Sequence, residues 1–88
     1  MQSKKVTLKN KNGLHARPAT ELAKLAMQFP CSILFITKGQ TIDAKSPLML
    51  LSAGLERGTE IKIECDGEKE KEALEALVNA FENQFGEK

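Results

Sequence analysis

Polar and apolar residues alternate through Lys5-Val6-Thr7-Leu8-Lys9, the period of a strand with one buried face. The period changes after Asn10-Lys11-Asn12-Gly13, a stretch of residues that tolerate left-handed backbone and therefore mark a turn. Ala19, Leu22, Ala23 and Ala26 then recur at helical spacing and predict a helix from about Ala16 to Gln28. Pro18 falls in its first turn, where proline is tolerated, and Pro30 closes the segment. Ile33-Leu34-Phe35-Ile36 reads as a β-branched, aromatic strand that Lys38-Gly39-Gln40 can turn into a short strand around Thr41-Ile42-Asp43. Ser46-Pro47 opens a short helix, with serine as a preferred cap and proline as a preferred first residue, and Gly54 is placed to end it. Glu60-Ile61-Lys62-Ile63-Glu64-Cys65 alternates cleanly, and Asp66-Gly67 turns the chain. In the last helix Ala73, Leu74, Leu77, Val78, Phe81 and Phe85 form the apolar stripe, with Glu68 and Glu70 near its positive end.

The predicted order is β-α-β-β-α-β-α. Four strands and two long amphipathic helices fit an α+β fold, an open-faced two-layer sandwich with the helices on one face of a mostly antiparallel sheet. The other face stays wet, as the lysines and glutamates of the alternating strands require. Eighty-eight residues predict a single domain, residues 1–88.

Composition narrows the function classes. A formal net charge of +1 lacks the basic excess of a nucleic-acid binder, and no apolar run approaches membrane-spanning length. The chain reads as a cytoplasmic protein with neither nucleic acid nor membrane as partner. Cys31 and Cys65 match no metal spacing, and with a single histidine a zinc site is not expected; no cofactor is implied. The cysteines read as small, reduced core residues.

The one histidine, His15, sits where the loop becomes the first long helix. A helix start carries unpaired backbone N–H groups and the positive end of the helix dipole, an anion site by construction. If His15 is the helix cap, the amides of Ala16 and Arg17 point past its ring toward bound phosphate oxygens. Arg17 can add charge-assisted hydrogen bonds to the same oxygens. A neutral imidazole is a competent nucleophile. Read alone, such a histidine is most often a solvated polar residue. Together these residues point to a histidine that takes up a phosphoryl group and passes it on.

At these residues the chain resembles the HPr family of histidine-containing phosphocarriers of the bacterial phosphotransferase system. The likeness rests on Gly13-Leu14-His15-Ala16-Arg17-Pro18-Ala19, Ala44-Lys45-Ser46, Gly54, Gly58-Thr59 and the closing helix, and runs essentially end to end. It implies that phospho-enzyme I phosphorylates His15 on Nδ1 and that the group passes to IIA domains or proteins, with Arg17 compensating the phosphate charge. Such a protein is a stoichiometric carrier rather than an enzyme with turnover, and is expected to be a monomer. The resemblance maps partner docking onto Ala16, Arg17, Thr20, Lys24 and Met27, with Pro47, Leu48, Met49, Leu51 and Ser52. Leu48, Met49 and Leu51 could instead be core residues of a short helix. They cannot all be buried on so short an element, which predicts an exposed apolar patch beside His15.

In part of the family a dedicated kinase, the HPr kinase/phosphorylase, modifies the residue corresponding to Ser46. Helix capping alone also explains Ser46-Pro47. Regulated members usually carry an aliphatic residue after the serine and small residues within the helix, from which Pro47 and Leu48-Met49-Leu50-Leu51 depart. The leucine-rich second helix and the tail from Phe81 to Lys88 also resemble the nitrogen-related NPr relatives, so sugar and nitrogen branches both stay open. Two other classes compete. One is a regulatory interaction module whose histidine is incidental, against which the intact His15-Ala16-Arg17 triplet argues. The other is a small-ligand-binding domain, for which four Phe and no Trp or Tyr supply few aromatic walls.

Overall fold

In a computed structural model, which describes residues 1–86, the elements run β1 (Gln2–Thr7), α1 (Ala16–Met27), β2 (Ser32–Thr37), β3 (Gln40–Asp43), α2 (Pro47–Ser52), β4 (Glu60–Asp66) and α3 (Glu70–Glu82), followed by a 3-10 turn at Gln84–Gly86. The four strands form one sheet in the order β1-β4-β2-β3. Each pairing is antiparallel, so the sheet is wholly rather than mostly so. The α+β sandwich order read from the sequence is the observed one.

Register explains which residues reach the core. Val6 faces Ile61, Phe35 faces both Ile42 and Ile63, and Ile33 faces Cys65. These seven side chains lie on the helix-covered face and are buried. Leu22, Ala23 and Ala26 of α1, Leu50 of α2 and Ala73, Leu77 and Phe81 of α3 close over them. Phe81 meets Phe35 edge-on at 5.7 Å, the packing that the aromatic quadrupole favours. On the open face, Leu34 and Ile36 are half-buried opposite Glu64 and Lys62, which form an ion pair of 3.1 Å.

Three boundaries differ from the periodic reading. β1 is shifted to Gln2–Thr7: pairing with β4 reaches back to Gln2↔Cys65 and ends at Thr7↔Glu60, so Leu8 and Lys9 of the alternating stretch lie beyond it. Gln28 caps α1 rather than belonging to it. Phe85 is not on α3: after Glu82 the chain leaves the helix and turns left-handed at Gln84 and Phe85, each with φ 52°. The Phe85 ring still packs edge-on against Phe81, with centroids 5.0 Å apart. Of the tail from Phe81 to Lys88, Glu87 and Lys88 lie outside the described residues.

The end of α3 expected to be positive carries Glu70 and Glu72 in its first turn, while Glu68 stays in the preceding loop. Glu70 accepts the Gly67 N–H at 3.0 Å. That bond first, and the amino terminus of Met1 at 2.9 Å second, hold its carboxyl below the ordinary value. Both cysteines are buried and reduced. Burial, reinforced by the nearby Cys31 and Glu70, pushes the Cys65 thiol up to about 11.

Candidate functional site

The loop ahead of α1 is fixed from below. Gly13 has φ +67°, and a Cβ on it would meet the Leu55 carbonyl oxygen at 2.4 Å. The Gly13 N–H donates to the Asn10 carbonyl at 3.0 Å, and the buried Leu14 donates its N–H to the Leu55 carbonyl at 2.9 Å. Glycine is therefore required twice over at position 13, for backbone conformation and for space. The pinned loop delivers His15 to the helix in one orientation.

His15 is the N-cap of α1, with extended backbone at φ −81° and ψ −171°. Its carbonyl accepts the first helical bond, from the Ala19 N–H at 3.0 Å. The imidazole makes no capping bond, unlike the serine or aspartate side chains usual at such positions, and the residue is half-buried. The amides of Ala16 and Arg17 lie ahead of that first bond, at the positive end of a 12-residue helix whose first turn holds no acidic side chain. Pro18 is buried in the same turn and has no N–H to offer.

Arg17 shows a contact that periodicity did not suggest. Its Nη2 donates to the Phe85 carbonyl at 3.0 Å, bringing the guanidinium onto the C-terminal turn. Beside it a groove of about 470 Å³ is lined by Glu21, Lys24, Leu25, Gln28 and Phe85. Phe85 is its single aromatic wall, which suits a small apolar ligand poorly.

Ser46 caps α2, its hydroxyl oxygen accepting the Met49 N–H at 3.2 Å, with Pro47 as the first helical residue. Lys45 ties this entry to the end of α1 by donating from Nζ to the Phe29 carbonyl at 2.8 Å. In α2, Leu50 is fully buried, whereas Leu48 is 73% exposed and Met49 and Leu51 are each 42% exposed. Met27 of α1 adds 55% exposure. Thr20, Lys24, Pro47 and Ser52 are exposed as well, and α1 packs against α2. The helix pair that carries His15 thus exposes four large apolar side chains, Met27, Leu48, Met49 and Leu51, while Lys24 and Arg17 line the groove beside Phe85. Among the described residues no helix is long and apolar enough to cross a membrane.

Asn10 escaped the sequence reading, which took it only for turn chemistry. It is fully buried and donates from Nδ2 to the Gln84 carbonyl at 2.9 Å. Nothing periodic distinguishes it from Asn12.

Comparison with known proteins agrees with this fold. The family model described as the PTS HPr component phosphorylation site matches residues 2–83. The phosphocarrier protein HPr of Cupriavidus necator is 39% identical, over 99% of this chain and 98% of its own length. That of Pseudomonas aeruginosa is 38% identical over the same shares. Among solved structures, HPr from Thermoanaerobacter tengcongensis superposes with a TM-score of 0.95 at 36% identity, covering 100% of this chain and 99% of that one. Crh of Bacillus subtilis, the catabolite repression protein described as a swapped dimer, gives 0.75 at 34% identity over 96% and 97%. A histidine at an uncapped helix start, in a fold and sequence shared from end to end, leads to one assignment: this chain belongs to the HPr family of phosphocarriers of the phosphotransferase system.

Proposed function

We propose that His15 accepts a phosphoryl group from phospho-enzyme I and hands it to IIA domains or proteins. The observation that carries this reading is the half-buried His15 ring at the N-cap of α1, a capping position whose side chain does not cap. In the transfer, the bond from phosphorus to the donor atom of phospho-enzyme I breaks while a P–N bond forms at His15 Nδ1. The imidazole enters with its lone pair on Nδ1 and its proton on Nε2, so no proton moves with the phosphoryl group. Catalysis here is positioning and compensation of oxygen charge. The amides of Ala16 and Arg17 and the α1 dipole supply part of that compensation, and the Arg17 guanidinium supplies the rest once it exchanges the Phe85 carbonyl for phosphoryl oxygens.

The exposed Leu48, Met49 and Leu51 of α2, with the exposed Met27 of α1, fit docking to partners that leave an apolar patch facing the phosphoryl site. Transfer then needs no deep pocket. We place the carrier in the cytoplasm as a monomer in its working state. A phosphate on Ser46 would gain from the α2 dipole while repelling acidic partners from the same face, a route to regulation by a dedicated kinase.

Incubation with phosphoenolpyruvate and enzyme I, read by intact mass, tests the assignment. The expected result is one acid-labile phosphate that His15→Ala abolishes. Label that survives this substitution overturns it. Running the assay with both sugar-branch and nitrogen-branch enzyme I separates the two branches, and kinase with ATP tests Ser46 in the same way.

A further inference from the structure

We propose that Asn10 is a positioning residue for phosphoryl transfer: its carboxamide fixes the Gln84–Phe85 turn, and that turn sets where the Arg17 guanidinium rests. The inference builds on the assignment of His15 and Arg17 above.

Asn10 is 0% exposed, and the other buried polar residues among those described are Thr37 and Thr59. Burying a carboxamide is unfavourable unless it is hydrogen-bonded. Its Nδ2 donates across 74 positions to Gln84 O, while its main-chain carbonyl accepts the Gly13 N–H. One residue therefore grips both the loop that delivers His15 and the turn that receives Arg17. Arg17 donates to the very next carbonyl, that of Phe85.

The turn does not hold itself. Gln84, Phe85 and Gly86 have φ of 52°, 52° and 80°, and only the last is glycine. Left-handed backbone at residues with a Cβ persists only where its surroundings over-determine it. Here the surroundings are the Asn10 amide, the Arg17 guanidinium, the Gly86 N–H to Asn83 O bond and the Phe85 ring on Phe81. Asn10 holds the Gln84–Phe85 peptide, and the next peptide carries the Phe85 carbonyl and is tied to Asn83 through the Gly86 N–H. Loss of the Asn10 donor releases the first of these two planes and, through the left-handed Phe85 between them, shifts the carbonyl that Arg17 meets.

The test is a double-mutant cycle on the rate of phosphoryl transfer from phospho-enzyme I, at a temperature where circular dichroism shows every variant folded. Asn10→Ala is expected to slow transfer by roughly tenfold, the scale of a misplaced positioning group. Added to Arg17→Ala, it should slow transfer by less than about twofold more, because coupled residues are non-additive. Gln84→Val, which puts a branched Cβ at a left-handed position without opening the Asn10 site, should reproduce both results. The Arg17 Nε–H resonance should shift in Asn10→Ala and in Gln84→Val. Multiplying rate effects, or an unmoved Arg17 resonance in both variants, would overturn the proposal. The resonance reads the Asn10–Arg17 link even if His15 takes no label, so failure of the carrier assignment stays distinguishable from failure of this one.

Discussion

Arg17 and Phe85 lie 68 positions apart, yet the guanidinium of the first donates to the carbonyl of the second at 3.0 Å. The bond is exposed, so it contributes little to stability, but it keeps a mobile cation from sampling solvent. For a carrier this matters more than strength. A cation held by a neutral carbonyl exchanges it readily when a charged phosphoryl group arrives, because the phosphoryl oxygens add the attraction of opposite charges that a carbonyl lacks.

Arg17→Ala should accordingly slow transfer to and from His15 while costing no more than about 1.5 kcal/mol of stability, the scale of one hydrogen bond to a charged group. Urea unfolding and transfer rates on the same sample check both halves. If stability and rate collapse together, Arg17 is chiefly structural.

Gly13→Ala should do the reverse and damage the scaffold first. The new Cβ would demand φ +67° and sit 2.4 Å from the Leu55 carbonyl oxygen. Left-handed strain and the displaced backbone together should cost about 2–4 kcal/mol. Because this contact lies two residues before His15, transfer should fall even at temperatures where the variant remains folded. An unchanged melting temperature would contradict the close approach.

Neighbouring leucines of α2 should separate stability from docking. Leu50 is 0% exposed and Leu48 is 73% exposed. Leu50→Ala should cost about 2–5 kcal/mol, as buried truncations do. Leu48→Ala should change stability by no more than about 0.5 kcal/mol. Yet Leu48→Ala should weaken binding to enzyme I by about tenfold if it anchors that interface, which calorimetric titration reads directly.

The difference between those leucines marks what the sequence made legible. Alternation along Glu60–Cys65 identified β4 and the inward faces of Ile61, Ile63 and Cys65, because a strand's period of two leaves one solution. Helical spacing found α1 and its buried Leu22 and Ala23 in the same way. A four-residue apolar run such as Leu48–Leu51 has no period, so which member enters the core is decided by how α2 docks, not by its own pattern. Phe85 misled for a related reason. Its spacing of four from Phe81 matches a helix, but a left-handed turn brings the ring to the same neighbour. The site divides likewise. The place of His15 as the N-cap of α1, with Arg17 in the first turn, was legible because it is local to one helix start, whereas the contact of Asn10 is with a residue 74 positions away.

Alkaline pH offers a last check on the core. The Cys65 thiol is raised from the ordinary 9.0 to about 11, chiefly by burial, then by Cys31 and Glu70. In the unfolded chain it ionises near 9.0, whereas the folded state keeps its proton up to about 11, so between these values the folded state binds more protons. The thiol's contribution is therefore fully present below pH 9.0 and is lost as pH rises toward 11. Lysines titrate in the same range, so the comparison that isolates Cys65 is with Cys65→Val. Melting temperatures of the wild-type chain should fall more steeply across this window than those of the variant. Equal slopes would mean that the thiol ionises as readily inside the fold as outside it, and would overturn the burial argument for Cys65.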